Sequence, residues 1–284
     1  MIAFPYSIFA DTEDFPVHLQ YGFHDEELYL HAHADFSELV IVLDGSALHI
    51  VGGESYPISK GDVFVVGQNT EHGFTQTEQL TICNVMFRPE IFDNVYDMKQ
   101  LPGFQALFVL EPHYAQNYYF LSQLRLSPEA FTETELLLTS IMNDYRQKEP
   151  GWRDIVFSGF CRLSVLLARH YQRDVKSDNS FLKLADAIAY IEHHFTEQIT
   201  LAELADLSGY SERQFLRLFR EAFSTTPNLY ISGLRIKKAQ QLLKTTSLSI
   251  GEIAWRCGYA DQNYFSRFFK RHTGTSPSLI RKKS

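Results

Sequence analysis

Cysteine is scarce in this chain of 284 residues. Its three cysteines, Cys83, Cys161 and Cys257, lie far apart with no C-x-x-C pair, which excludes a disulfide framework and a clustered-thiolate zinc site. Long apolar runs are also missing: no stretch approaches the ~18–20 consecutive apolar residues of a membrane span, so no membrane partner is expected. The first fourteen residues, Met1 to Asp14, have no basic residue before their short apolar run and carry three acids. No secretory leader is therefore expected, and the expected location is the cytoplasm. A hydrophobic share of 45% against 21% charged residues is ordinary globular composition, which excludes collagen-like and disordered classes. The length suits two domains better than one.

The net charge of -8 conceals a split. Residues 181–284 hold 15 Lys+Arg against 9 Asp+Glu, or +6, which leaves 11 against 25, or -14, in residues 1–180. Such asymmetry points to a basic domain facing nucleic acid or a membrane surface, attached to an acidic partner domain.

The two halves also differ in period. Leu39-Val-Ile-Val-Leu43 reads as a buried strand, with Asp44-Gly45 as a hairpin turn signal. Ser46 to Val51, a strand up to Ile58, a Lys60-Gly61-Asp62 turn, Val63 to Val66 and Thr81 to Phe87 continue the pattern. Short strands spaced this closely predict an antiparallel sandwich or barrel. Beyond about residue 90 the spacing turns helical, over Pro128 to Lys148 and Ile155 to Tyr171. The polar stretch from Asp174 to Ser180 marks a boundary, and everything after it reads as helix.

The last hundred residues contain a self-match. Thr200-Leu-Ala-Glu203 and Ser249-Ile-Gly-Glu252 are both S/T-x-x-E capping boxes. Each opens a short helix that stops at a Gly-Tyr turn, Gly209-Tyr210 and Gly258-Tyr259. Ser211 and Asp261 then cap a second helix, with Phe215 and Phe219 matching Phe265 and Phe269. Short helix, glycine turn and second helix is helix-turn-helix grammar, in which the second helix enters the major groove. With the phenylalanines inward, Arg213, Gln214, Arg217 and Arg220 face out in the first unit; Gln262, Asn263, Ser266, Arg267 and Lys270 do so in the second. Arg, Gln and Asn read base edges, and Lys and Arg neutralise phosphates. Leu229 to Lys244 forms one long helix that would hold the units at fixed spacing.

On these residues the C-terminal part resembles the AraC/XylS transcriptional regulators. The likeness covers Arg235-Ile-Lys-Lys-Ala-Gln-Gln-Leu-Leu, Ile250-Gly-Glu-Ile-Ala-Trp-Arg-Cys-Gly-Tyr, Phe265-Ser-Arg-Phe-Phe-Lys-Arg and Gly274-Thr-Ser-Pro277. It implies base contacts from Arg213, Leu216 and Arg217 and from Gln262, Asn263, Ser266 and Arg267. Leu216 can only touch a thymine methyl group. One departure is Ser224, where the family has glycine; a strained helix end is expected there.

In the acidic half, His31-Ala-His33 places two imidazoles on one strand face. Glu38 would fall on the opposite face unless Ala34-Asp35-Phe36-Ser37 bends or bulges. The order H-x-H-x4-E-x6-G, with the distant His72, resembles the cupin barrel motif, although Asp25 stands where that motif begins with glycine. The AraC resemblance makes His31, His33, Glu38 and His72 contacts for a polar effector. The cupin resemblance allows them to hold one divalent metal, Zn²⁺, Ni²⁺ or Fe²⁺. A third reading leaves them as hydrogen-bonded barrel histidines.

Asp35-Phe-Ser-Glu-Leu-Val-Ile-Val and Leu101-Pro-Gly-Phe-Gln-Ala-Leu-Phe are similar to the rhamnose-operon activators within the family, which implies a monosaccharide effector. Phe104, Phe108, Tyr114, Tyr118, Tyr119 and Phe120 are candidates to line or cover its pocket. The family likeness further implies a homodimer, here expected through Phe160, Leu163, Leu166 and Leu167, and RNA polymerase as a partner if the chain activates.

The expected fold is thus multidomain α+β: a cupin-like antiparallel β-barrel over 1–95, a helical cover and dimerisation segment over 96–176, and an all-α DNA-binding domain over 177–284. Its helix-turn-helix units fall at about 200–221 and 249–272. The expected function is a regulator that binds double-stranded DNA and responds to a small polar effector, not an enzyme. The competing class is a metal-dependent cupin enzyme fused to a DNA-binding module.

Overall fold

The computed structural model describes residues 2–10, 14–26, 28–93, 95–117, 124–174 and 180–283. It divides into two compact units, Met1–Ala185 and Asp186–Ser284.

The first unit carries β1 (Ala3–Phe4), β2 (Val17–His24), β3 (Leu28–His33), β4 (Ser37–Val51), β5 (Glu54–Ser59), β6 (Asp62–Val66), β7 (His72–Phe87) and, after a run of helices, β8 (Leu124–Arg125). Their order in the sheet is β1-β3-β7-β4-β6-β8, with β2 paired to β7 and β5 to β4. Leu39, Val40, Ile41 and Val42 are all fully buried, so this part of β4 is covered on both faces, as its unbroken apolar run requires.

The expected antiparallel barrel is corrected in two respects. The β1–β3 pair is parallel, and among the described residues no pairing joins β1 to β8, so the sheet stays open. The reason lies in the two longest strands. The first half of β4 pairs with β6 and its second half with β5; the start of β7 pairs with β3 and its end with β2. Register shifts between Val42 and Leu48 bend both strands where the partners change.

Asp44-Gly45 is a second correction, because the chain does not reverse there. Gly45 lies inside β4 at φ 75, and a Cβ at that position would overlap the carbonyl oxygens of Glu78 and Gln79 on β7. The glycine makes a bulge between two strands that continue side by side. The turns at Gly52-Gly53 and Lys60-Gly61 reverse the chain as expected.

The helices of the first unit are α1 (Tyr96–Lys99), α2 (Pro102–Phe104), α3 (Glu111–Asn117), α4 (Pro128–Gln147) and α5 (Trp152–Asp174), with a π-helical turn at Gln105–Leu110. Phe160 on α5 packs its ring 5.4 Å from that of Phe87 at the end of β7 and 5.5 Å from Phe92. Phe160, Leu163 and Leu167 are buried in the chain's own core. They have no surface to offer a partner, which corrects the expected dimer contact; Leu166 is half-buried. Phe104 and Phe108 stack on each other at 4.9 Å and pack against Phe92 as ordinary core. Tyr118, Tyr119 and Phe120 lie outside the described residues, as does most of the boundary segment, 175–179.

α6 (Ser180–His194) runs across the division between the units. The second unit continues with α7 (Leu201–Ser208), α8 (Glu212–Phe223), α9 (Pro227–Thr245), α10 (Ile250–Arg256), α11 (Gln262–Thr273) and α12 (Pro277–Lys283). Both expected capping boxes form: Thr200 with Glu203 at the start of α7, and Ser249 with Glu252 at the start of α10. Ser224 ends α8 in the left-handed conformation at φ 51, where Gly274 at φ 74 ends α11. The serine therefore holds a backbone shape that suits glycine. Among the described residues no helix is long and apolar enough to cross a membrane.

Candidate nucleic-acid interface and histidine cluster

The repeat is a structural one. Over ten positions, 211–220 and 261–270, the two units show the same order of exposed, half-buried and buried side chains. Phe215, Phe219, Phe265 and Phe269 are fully buried. They turn Arg213, Gln214, Arg217 and Arg220 outward on α8, and Gln262, Asn263, Arg267 and Lys270 outward on α11. Leu216 and Ser266 occupy equivalent half-buried positions.

Two of the exposed side chains already have partners. The Gln214 side-chain oxygen accepts from the Ser211 hydroxyl at 2.9 Å and completes a capping box on α8. The Arg217 guanidinium donates to both carboxylate oxygens of Glu221, at 2.8 and 3.0 Å, one turn further on. Arg267 has no acidic partner among the described residues. The two units thus present equivalent arginines in different states, one tied and one free.

In the first unit the structure brings His31, His33, Glu38 and His72 together. Ala34-Asp35 forms the bend that the sequence required between β3 and β4, so Glu38 on β4 joins histidines on β3 and β7. His31 and His72 are register partners. Nitrogen atoms of His31, His33 and His72 all lie within 4.8 Å of one another. His72 Nε2 is 3.3 Å from His33 Nε2, and Glu38 Oε2 lies 3.9 Å from His33 Nε2 and 3.8 Å from His72 Nε2.

Burial sets the charge state. Desolvation lowers His33 to about 3, with His31 nearby adding to the effect, and drives His72 well below the usual histidine range. The same desolvation raises the Glu38 carboxyl to about 8. His33, His72 and Glu38 are therefore polar but uncharged near neutrality. Nδ1 of His33 and of His72 are buried and have no hydrogen-bond partner among the described residues.

His49 was missed by the sequence reading. It is fully buried on β4, stacked on Phe64 at 4.7 Å and 5.6 Å from the His72 ring, and burial lowers it to about 3. Strand parity was the available signal, since His49 shares a face with buried Ala47 and Val51. More apolar Leu48 and Ile50 made the opposite face look like core. A cavity of about 650 Å³ lies elsewhere, lined by Ser46, Ile58, Asp62, Glu78 and Arg125 among others.

A unit with two matched, outward-reading helices, joined in one chain to a strand-rich unit with a buried histidine cluster, defines a DNA-binding regulator with an attached cupin-type domain. A helix-turn-helix domain family matches residues 204–283, and a cupin domain family matches residues 17–86. The HTH-type transcriptional activator RhaS of Escherichia coli O6:H1 is 30% identical over 250 residues, covering 88% of this chain and 86% of that protein. RhaS of Salmonella arizonae is 32% identical over 253 residues, with the same coverage. An AraC-type regulator structure from Chromobacterium violaceum shares 34% identity, covers 36% of this chain and 90% of its own, and has a TM-score of 0.34. The chain belongs to the AraC-type family of transcriptional regulators.

Proposed function

We propose that this chain is an effector-responsive transcriptional activator that reads DNA through α8 and α11. The supporting observation is the matched outward face of the two helices, where Arg213, Arg217, Gln262, Asn263 and Arg267 suit base edges and Arg220 and Lys270 suit phosphates. Leu216 and Ser266 sit beside them at the groove. Activation is drawn from the activator relatives, and RNA polymerase is the partner this proposal assigns to an activator. Selecting duplexes from a random-sequence library with the purified protein tests the reading; recovery of no preferred sequence would sink it.

The effector site in this proposal is His31, His33, Glu38 and His72, with His49 behind them. The buried, uncharged donors and acceptors of His33, Glu38, His72 and His49 suit a neutral hydroxylated ligand, and the likeness to rhamnose-operon activators favours a monosaccharide. The effector must bind two arrangements of a homodimer with different affinity, or it shifts nothing. Leu136 and Ile155 are exposed on α4 and α5 and are available for such a dimer.

One observation favours a second reading of the cluster. Three imidazoles whose nitrogens converge within 4.8 Å fit a divalent ion, with Glu38 completing the set as carboxylate. A bound ion would anchor a ligand oxygen or brace the sheet. Elemental analysis, paired with melting curves with and without chelator and a sugar panel, separates the readings. Stoichiometric metal with chelator-sensitive melting supports the ion; sugar-dependent stabilisation that Glu38→Ala or His33→Ala abolishes, without metal, supports the effector.

A further inference from the structure

The two Gly-Tyr turns are sequence equivalents but sit in different surroundings. Around Gly209 a Cβ would meet nothing within 4 Å, whereas at Gly258 it would overlap the Thr196 carbonyl oxygen. The turn of the second helix-turn-helix unit is therefore pressed against the backbone of Thr196, which leads into the first unit four residues before its cap, Thr200.

Arg235, on the connecting helix α9, closes this junction. Its Nε donates to the Phe195 carbonyl at 2.6 Å and its Nη2 to the Glu197 carbonyl at 2.6 Å, while Nη1 donates to the Gly258 carbonyl at 3.1 Å. Its guanidinium also lies over the Tyr259 ring, 5.6 Å from the centroid. One planar fork thus spans the lead-in to the first unit and the turn that launches α11 four residues later. A lysine keeps the charge but has no rigid fork with which to hold three carbonyls at once. A Cβ on Gly209 meets open space, so close packing at the turn is not a requirement of the helix-turn-helix fold itself.

We infer that Arg235 is a positioning residue that sets where α11 stands relative to α8, and so fixes the spacing between the two DNA segments the protein accepts. The inference rests on the reading of α8 and α11 as base-reading helices. Two reading units joined rigidly act at high effective concentration on a site of matching spacing, and lose that advantage when the geometry is wrong.

The test uses the full-length protein and duplexes selected by it from a random-sequence library, rebuilt with one or two base pairs inserted between the two contacted segments. Each inserted base pair rotates one segment by about a tenth of a turn. Wild-type protein is expected to lose about tenfold or more in affinity on insertion. Arg235→Ala and Arg235→Lys are expected to bind the parent duplex about tenfold more weakly, with little further loss on insertion. Gly258→Ala should behave as they do, while Gly209→Ala should keep the wild-type insertion profile. A purely structural role would lower the melting temperature and weaken every duplex in proportion, leaving the insertion profile intact; that result overturns the inference. Should Arg235→Ala fail to fold, Arg235→Lys carries the comparison, and failure of both to fold also overturns it. If Arg217→Ala and Arg267→Ala show no selective loss on the selected duplex, the base-reading proposal falls. If they show it and the Arg235 variants keep the wild-type profile, only the present inference falls.

Discussion

Replacing Arg267 with alanine should cost more cognate affinity than replacing Arg217, although the two occupy equivalent positions. A bidentate arginine–guanine contact is worth ~1–3 kcal/mol of discrimination, and about 2 kcal/mol corresponds to roughly a thirtyfold loss. Among the described residues Arg267 has no acidic partner to give up. Arg217 is already bonded to Glu221 at 2.8 and 3.0 Å, and both side chains are partly exposed. Exposed pairs at this helical spacing are worth about 0.3–0.5 kcal/mol. Releasing the pair offsets part of the DNA contact and leaves about 1.5 kcal/mol, roughly a tenfold loss for Arg217→Ala. Fluorescence anisotropy on a selected duplex and a random duplex, repeated over a salt series, reads both quantities. Base contacts leave the salt slope nearly unchanged, whereas a lost phosphate contact reduces it by about one. Equal losses on the two duplexes, or a larger loss for Arg217→Ala than for Arg267→Ala, would refute the reasoning. Glu221→Gln should relax the difference and strengthen cognate binding about twofold.

Ser224→Gly should stabilise the compact unit Asp186–Ser284, because a left-handed serine costs ~1–2 kcal/mol and the added chain entropy of glycine takes back only part of it. A net gain of about 0.5–1 kcal/mol raises the melting temperature of a domain this size by roughly 2–8 °C; calorimetry that finds no rise would contradict the strain. A fragment from Ser180 to Ser284, which keeps α6 whole, should fold and bind duplex DNA without effector. Its affinity should drop steeply between low and moderate salt as phosphate counterions are displaced, and salt-independent binding in gel shifts would count against it. In the first unit, His49→Phe should leave metal content unchanged while altering any sugar-dependent melting shift, since His49 is stacked behind the converging nitrogens rather than among them; loss of metal in that variant would place it among the ligands.

The DNA-binding half was legible in the chain alone because its determinants are local. A hydroxyl three residues before Glu203 or Glu252 satisfies the amides of a helix start wherever it occurs. Phe215 and Phe219, one turn apart, leave Arg213 and Arg217 no face but the outer one. Position 224 stood out only against the family likeness, which has glycine there, and the structure holds its serine in the left-handed conformation. The histidines were legible as a motif, and the need for a bend before Glu38 followed from strand parity alone. What remained hidden depends on residues distant in sequence. Gly45 reads as a turn until Gln79 lies against it, so the same dipeptide that would reverse a free chain instead bulges a continuous strand. Phe160, Leu163 and Leu167 form an apolar stripe that sequence cannot assign to a partner or to the chain's own sheet; only the packing against Phe87 and Phe92 decides it. Local hydrogen bonds and side-chain period are written along the chain. Which surfaces meet, and which arginine finds three carbonyls, is settled by burial between segments tens of residues apart.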